Sequence, residues 1–161
     1  MQPVTRTGRD RRRPIARVLF TMLALVALVA ACGGASATPA ASLGPIELNG
    51  TSWRLISYLS PTGTNFTVPA AVTPGATFKD GQWTGDTGCN QAQGAYTQDG
   101  TSIAIGPITS TKKACQEPMA TVETAYLAAI AVVDTAVGND TTLILKKSDG
   151  FTTLEFVRAN N

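Results

Sequence analysis

Apolar and polar residues alternate along much of the chain, which is the pattern of half-buried β-strands. The stretch TSWRLISYL (51–59) places Trp53, Leu55 and Leu59 on one side of a strand and Arg54, Ile56 and Tyr58 on the other. Ordered structure is therefore expected to begin near Leu48. Residues 60–75 hold three prolines and two glycines, which predicts a long loop or a broken edge strand.

Three Asp-Gly dipeptides each lie between two β-like runs: Asp80-Gly81, Asp99-Gly100 and Asp149-Gly150. Aspartate and glycine tolerate positive φ, so each pair suits the type I′ turn of a two-residue hairpin. Three hairpins of this kind favour an antiparallel sheet.

One segment, CQEPMATVETAYLAAIAVVD (115–134), has helical periodicity, with Pro118 suited to a first turn. Its apolar positions recur every three or four residues: Met119, Val122, Tyr126, Leu127, Ile130 and Val133. We expect this stripe to pack on the sheet. The predicted fold class is α+β, a mainly antiparallel β-sheet of about eight strands that curls into a partly open barrel, with one packed α-helix.

The N-terminus has the layout of an export signal. Its basic residues are Arg6, Arg9, Arg11, Arg12, Arg13 and Arg17. An apolar run from Val18 to Ala31 follows, broken only by Thr21. As a helix this run would span about 21 Å, short of the roughly 30 Å hydrocarbon core, so a permanent transmembrane helix is not expected.

The run ends in Val29-Ala30-Ala31-Cys32, which resembles the lipobox of bacterial lipoproteins. The resemblance implies that Cys32 is lipidated and becomes the mature N-terminus; the alternative is an ordinary signal peptide with Cys32 a bystander. We expect a lipoprotein signal peptide over 1–31, a flexible tether over 32–47 and one domain over 48–161. The predicted location is the cell envelope, lipid-anchored on the extracytoplasmic face of a bacterial membrane.

Removal of such a signal changes the charge of the chain. Of 13 basic residues 7 remain and of 11 acidic residues 10 remain, so the net charge falls from +2 to 7 − 10 = −3. A mildly acidic domain has no electrostatic footprint for nucleic acid. We expect a monomer whose membrane contact is the lipid and whose envelope partner is unidentified.

The two remaining cysteines, Cys89 and Cys115, would lie in an oxidising compartment, where an even pair predicts a disulfide. The alternatives are a reactive thiol or a metal site. Both lack histidine partners, because the chain has no histidine. No metal and no cofactor are expected.

The order of these signals resembles the META domain, also called the HslJ family. The resemblance covers residues 48–158 and is most specific in GCN with a downstream G-x-Y, then T-x-x-x-C before a helix with Glu123 and Leu127. The family-motif residues are Gly88, Cys89, Asn90, Gly94, Tyr96 and Thr111, with Cys115 completing the T-x-x-x-C. We interpret Asn90 as a turn former. The resemblance implies a compact antiparallel β domain with one helix and a link to stress tolerance, and it carries no catalytic set.

The predicted function is a non-catalytic lipid-anchored envelope module for stress tolerance or protein interaction. One alternative is a carrier of a small apolar ligand, its cavity lined by aromatic residues. The candidate lining residues, which core packing also explains, are Trp53, Phe66, Trp83, Tyr96 and Tyr126. The other alternative is a hydrolase. Ser110 with Lys112 or Lys113 would then imitate a Ser-Lys dyad. The mid-chain carboxylates available as general acids or bases are Asp86, Glu117, Glu123 and Asp134.

Overall fold

A computed structural model describes residues 42–59, 63–150 and 153–159 of the chain. These residues form ten strands and one helix. The strands are β1 (Thr51–Leu59), β2 (Asn65–Thr67), β3 (Gly75–Lys79), β4 (Gln82–Asp86), β5 (Gln91–Asp99), β6 (Ser102–Ile105), β7 (Thr109–Ser110), β8 (Thr135–Gly138), β9 (Thr142–Lys146) and β10 (Thr153–Arg158). The helix α1 runs over Met119–Ile130.

Eight of the strands close into an antiparallel barrel in the order β1-β3-β4-β5-β6-β8-β9-β10, and β10 pairs back with β1. The prediction of a mainly antiparallel sheet with one packed helix is confirmed. The narrowest pairing is between β6 and β8, where Ser102 faces Thr135 as the single registered pair. Strand β2 extends the sheet beyond β1, and β7 pairs with β5.

Strand β1 contains a β-bulge that the sequence pattern did not reveal. Its register with β10 shifts between Leu55 and Ser57. A bulge adds one residue and reverses the alternation beyond it. Tyr58 is therefore buried, although strict alternation placed it on the side opposite Trp53 and Leu55. That part of the strand prediction was wrong.

Two of the three predicted hairpin turns lie wholly among the described residues. Between β3 and β4, Asp80 and Gly81 have φ of 50° and 75°, as a type I′ turn requires. Between β5 and β6, Asp99 pairs with Ser102, so the two-residue loop is Gly100-Thr101 rather than the predicted Asp99-Gly100. Here only Gly100, at 56°, needs the left-handed region.

Helix α1 follows Pro118 and packs one face against the barrel. The buried residues of this face are Val122, Tyr126, Ala129 and Ile130. The Tyr126 ring meets Trp83 and Phe156 at centroid distances of 6.2 Å each. Its hydroxyl donates to the Gly75 carbonyl at 2.9 Å. Burial raises the pKa of Tyr126 far above its ordinary value of 10.0, and the charge of Asp86 adds to the rise. Residues of the helix therefore complete the barrel core.

The chain contacts the barrel before Leu48, within the range predicted as tether. Gly44 and Gly138 exchange backbone hydrogen bonds of 3.0 and 2.8 Å. The Gln98 side-chain amide donates to the Ile46 carbonyl at 2.6 Å and accepts from the Leu48 N–H at 3.2 Å. Ordered structure thus begins by Gly44, because β8 and the Gln98 amide supply partners for this backbone.

The predicted signal peptide, the lipidation residue Cys32 and the first part of the tether lie outside the described residues. Within 42–59, 63–150 and 153–159, no helix has the length and apolar character needed to cross a bilayer.

Candidate functional site

A tight turn at residues 87–90 carries the G-C-N motif. The buried Thr87 hydroxyl donates to the Asn90 carbonyl at 2.9 Å and accepts from the Asn90 N–H at 2.8 Å. Gly88 has φ of 87°, and a Cβ built there would lie 2.3 Å from a methyl of Val72. Asp86 caps the turn by accepting from the Gly88 N–H at 2.7 Å. The glycine is therefore required by both backbone conformation and space.

Cys89 and Cys115 form a disulfide, with their Cα atoms 6.0 Å apart and a sequence separation of 26. Both side chains are half-buried. The bond joins the turn at 87–90 to the loop that leads into α1. The predicted pairing is present.

The side chain of Asn90 links three segments that are distant in sequence. Only 2% of the residue is exposed. Its carbonyl oxygen accepts from the Thr111 hydroxyl at 2.7 Å and the Lys113 N–H at 2.8 Å. Its amide nitrogen donates to the Lys113 carbonyl at 3.2 Å and to both Glu123 carboxylate oxygens at 3.0 and 2.9 Å.

The interpretation of Asn90 as a turn former was therefore wrong. The local turn bonds come from Thr87, while the buried Asn90 amide bonds to groups 21 to 33 residues away in sequence. Such long-range pairs leave no periodic signal in the sequence.

Glu123 on α1 brings a carboxylate against the disulfide. One of its oxygens lies 3.0 Å from the Cys115 sulfur. This is a contact and not a hydrogen bond, because a disulfide sulfur carries no proton. The two sulfurs and a carboxylate oxygen of Glu123 all lie within 4.8 Å of one another. From sequence, Glu123 was a candidate general acid or base and a part of the family's helix pattern, and its position beside the cysteines was missed.

An open groove of about 410 Å³, which we call the disulfide groove, borders this cluster. Cys115, Glu123, Lys112 and Lys113 line part of it. Ser110 lies on the same lining and is exposed, as is Lys112. The other proposed carboxylates have structural partners: Glu117 accepts from the Thr121 hydroxyl at 2.7 Å, and Asp134 from Ser148 at 2.7 Å. The hydrogen bonds from Ser148 lower the pKa of Asp134.

The remaining motif residues serve packing. A Cβ at Gly94 would lie 3.2 Å from the Pro107 carbonyl oxygen, so the glycine permits close approach of two backbones. The Tyr96 ring packs edge-on against Phe78 at 5.1 Å. Trp53, Trp83 and Tyr126 are also buried in the core. Four of the five aromatics considered for a ligand cavity thus occupy the barrel interior themselves.

The fifth aromatic, Phe66, lies outside the barrel and is 44% exposed. It stacks on Tyr58 with centroids 5.5 Å apart and planes inclined by 19°. The two rings and one face of α1 enclose a groove of about 510 Å³, which we call the aromatic groove. On this side the groove is lined by Glu117, which precedes α1, and by the α1 residues Ala120, Thr121, Thr124, Ala125 and Ala128.

The profile of the META domain matches residues 46–161, most of the chain. The chain belongs to the META domain family. The matched range includes all eight barrel strands and the G-C-N turn of this META domain. No curated protein matches the sequence.

Solved structures share the META barrel described above. A protein from Burkholderia xenovorans, solved by NMR, is 27% identical with a TM-score of 0.62, and the match covers 76% of this chain and 94% of that one. A DUF4847 family protein from Bacteroides vulgatus, solved by crystallography, is 15% identical with a TM-score of 0.52, covering 71% and 96%. The second likeness concerns the fold alone.

Proposed function

We propose that this META domain is a non-catalytic binding module of the bacterial cell envelope. It is held on the extracytoplasmic face of a membrane by lipid on Cys32 and acts by binding an envelope protein. The observation that carries the proposal is the aromatic groove. Phe66 remains exposed beside α1 while the barrel interior is filled by the chain's own aromatic side chains.

The lining of the aromatic groove favours one kind of partner. Alanines 120, 125 and 128 are small, so a partner segment can approach α1 closely. The exposed ring of Phe66, stacked on the buried Tyr58, offers apolar area. Among the described residues that line the groove, Glu117 is the one that carries a charge. The complementary segment has an apolar strip with a basic residue at one end.

The anchor is supported by the sequence of the N-terminus. The basic region, the apolar run and the four residues ending in Cys32 have the order of a lipoprotein signal. Two or more acyl chains, each stabilised by about 0.8 kcal/mol per buried CH₂, hold a soluble domain on a bilayer. Lipid labelling tests this part: wild type takes up labelled fatty acid and fractionates with membranes. If Cys32→Ala protein did the same, the anchor would be disproved.

Site-specific photocrosslinking tests the binding surface. A photoreactive residue at position 66, in full-length protein within its own envelope, is expected to give a discrete protein adduct. The matched control position is Ala104, which is exposed on β6, opposite β1 in the barrel order. An Ala125→Glu substitution, which places a charged side chain in the groove, should remove the adduct formed at 66. Equal adducts from positions 66 and 104, or an adduct that survives Ala125→Glu, would disprove the groove as the binding surface.

A role in stress tolerance, implied by the family resemblance, is part of the proposal. Cells that carry the groove variant Ala125→Glu should then show the same loss of tolerance as cells that lack the protein. If that variant restored tolerance fully, the role would not depend on the aromatic groove.

A further inference from the structure

Cys89, Cys115 and Glu123 have side chains of the types that bind metal ions, but the two sulfurs are bonded to each other in the disulfide. Thiolate sulfur and carboxylate oxygen are both common ligands of zinc, and soft thiolates also favour cadmium. A metal site is not expected from the sequence, because the chain has no histidine. The structure supplies a different third ligand, the Glu123 carboxylate, with all three donor atoms within 4.8 Å.

We propose that, once the disulfide is reduced, Cys89, Cys115 and Glu123 form a binding site for one soft divalent cation such as Zn²⁺ or Cd²⁺. This site lies outside the aromatic groove. It exists only when Cys89 and Cys115 are reduced thiols, whereas the disulfide between them stabilises the oxidised protein.

The three ligands come from three segments that other contacts hold in place. Cys89 lies in the Thr87 turn, Cys115 in the loop before α1, and Glu123 on α1 itself. A tetrahedral zinc with bonds of about 2.3 Å to sulfur places two sulfurs about 3.8 Å apart. The Cα separation of 6.0 Å allows this spacing by rotation of the two side chains.

The fourth coordination position would face the disulfide groove, because both Cys115 and Glu123 line it. Three protein ligands and one open position form the arrangement of an accessible site, where a water or a small ligand completes the shell. The lysines 112 and 113 line the same groove, and their charge favours ionised thiols.

Asn90 is the positioning residue of this site. Its amide donates to both oxygens of Glu123 and thereby fixes the carboxylate beside Cys115. Its own orientation is fixed by Thr111 and by both backbone groups of Lys113. Outer hydrogen bonds of this kind orient metal ligands, and their loss commonly costs 10- to 100-fold in metal affinity.

The disulfide is reduced by thiol–disulfide exchange. An external dithiol transfers two electrons and two protons to the disulfide, becomes a disulfide itself, and leaves Cys89 and Cys115 as thiols. The cation then binds both sulfurs as thiolates and releases the two protons. Because the oxidised sulfurs are bonded to each other, disulfide and metal exclude one another.

Cadmium titration of the reduced protein tests the proposal, with thiolate-to-metal absorption as the readout. The protein is reduced with a dithiol, freed of it without oxygen, and checked by circular dichroism. We expect one Cd²⁺ per chain for reduced protein and none for oxidised protein. Glu123→Gln should weaken binding at least about tenfold. Glu117→Gln, two residues before the same helix begins and outside the cluster, should bind as wild type does.

Several results would overturn the proposal. One is folded, reduced protein that binds no Cd²⁺, and another is one cation shared between two chains. Equal affinities of the Glu123→Gln and Glu117→Gln variants would show that the carboxylate is not a ligand. If reduction unfolded the domain and Cd²⁺ did not restore it, the preformed site would be disproved as well.

Discussion

The Asn90 amide donates to the Glu123 carboxylate at 2.9 Å, joining the G-C-N turn to α1 across 33 residues of chain. Asn90→Ala removes this link and leaves the Lys113 N–H and the Glu123 carboxylate without their partner. A hydrogen bond to a charged group such as this carboxylate contributes about 1.5–3 kcal/mol. We expect the free energy of unfolding to fall by at least about 2 kcal/mol, measured by urea denaturation with the disulfide intact. Gln93→Ala, at an exposed position on β5, should change it by less than about 0.5 kcal/mol.

The disulfide should contribute to stability mainly by restricting the unfolded chain. A closed loop of about 26 residues gives roughly 3.5 kcal/mol in the chain-entropy model. Reduced protein should therefore denature at lower urea concentration while remaining folded in its absence, because the barrel closes through β1 and β10 far from the cysteines in sequence. Paired denaturation curves with and without a reductant measure the difference. Coincident curves would show that the bond adds no stability.

We expect the buried phenol of Tyr126 to cause a loss of stability at alkaline pH. Burial raises the pKa of Tyr126 in the folded protein, whereas in the unfolded chain the phenol ionises near pH 10. The folded state therefore keeps its full stability below pH 10. Above pH 10 the free energy of unfolding falls by about 1.4 kcal/mol per pH unit, because the unfolded chain loses one proton that the folded protein retains. Tyr126→Phe should lower stability at neutral pH by about 1 kcal/mol, through the lost bond to Gly75, and should remove that slope.

Unfolding free energies measured between pH 8 and pH 11 test this expectation. Tyr58→Phe is the control, because it keeps the Tyr126 hydroxyl and its bond to Gly75. An alkaline slope that is the same in both variants would contradict the assignment to Tyr126.

Two glycines with positive φ should differ in their tolerance of alanine. Gly100→Ala meets nothing within 4 Å and bears only the backbone strain, about 1–2 kcal/mol. Gly88→Ala bears similar strain and also clashes with Val72, so we expect a loss of about 3 kcal/mol or more. Thermal or urea unfolding of both variants gives the comparison.

A double mutant separates the clash from the strain. Val72→Ala removes the methyl that a Cβ at residue 88 would meet, so Val72→Ala with Gly88→Ala should cost less than the sum of the single changes. Strict additivity would assign the whole effect at Gly88 to backbone strain.

The parts of the fold that depend on local pattern could be predicted from sequence. Strand alternation, the turn at Asp80-Gly81 and the buried stripe of α1 each depend on neighbouring residues. The bulge in β1 could not be predicted, because the shift between Leu55 and Ser57 is set by pairing with β10, about 100 residues away. The start of the barrel at Gly44 likewise depends on its partner Gly138.

Only part of the candidate site could be predicted from the sequence. The cysteine pair followed from the count of thiols and the expected compartment. The contact of Glu123 with Cys115 did not, because it depends on how α1 lies against the G-C-N turn. The available signal was a carboxylate on or just before the helix that follows the second cysteine, and only the fold showed which of Glu117 and Glu123 contacts the sulfur.

The bridge between Gly44 and Gly138 also determines how the domain responds to force. Any pull on the chain preceding Ser42 reaches the barrel first through two backbone hydrogen bonds, and next through the Gln98 clamp on Ile46 and Leu48. These few bonds are the first to bear tension and can detach without opening the closed ring of strands. If the domain is anchored as we propose, release of these bonds under load would add a few residues of reach while the closed ring of strands stays intact.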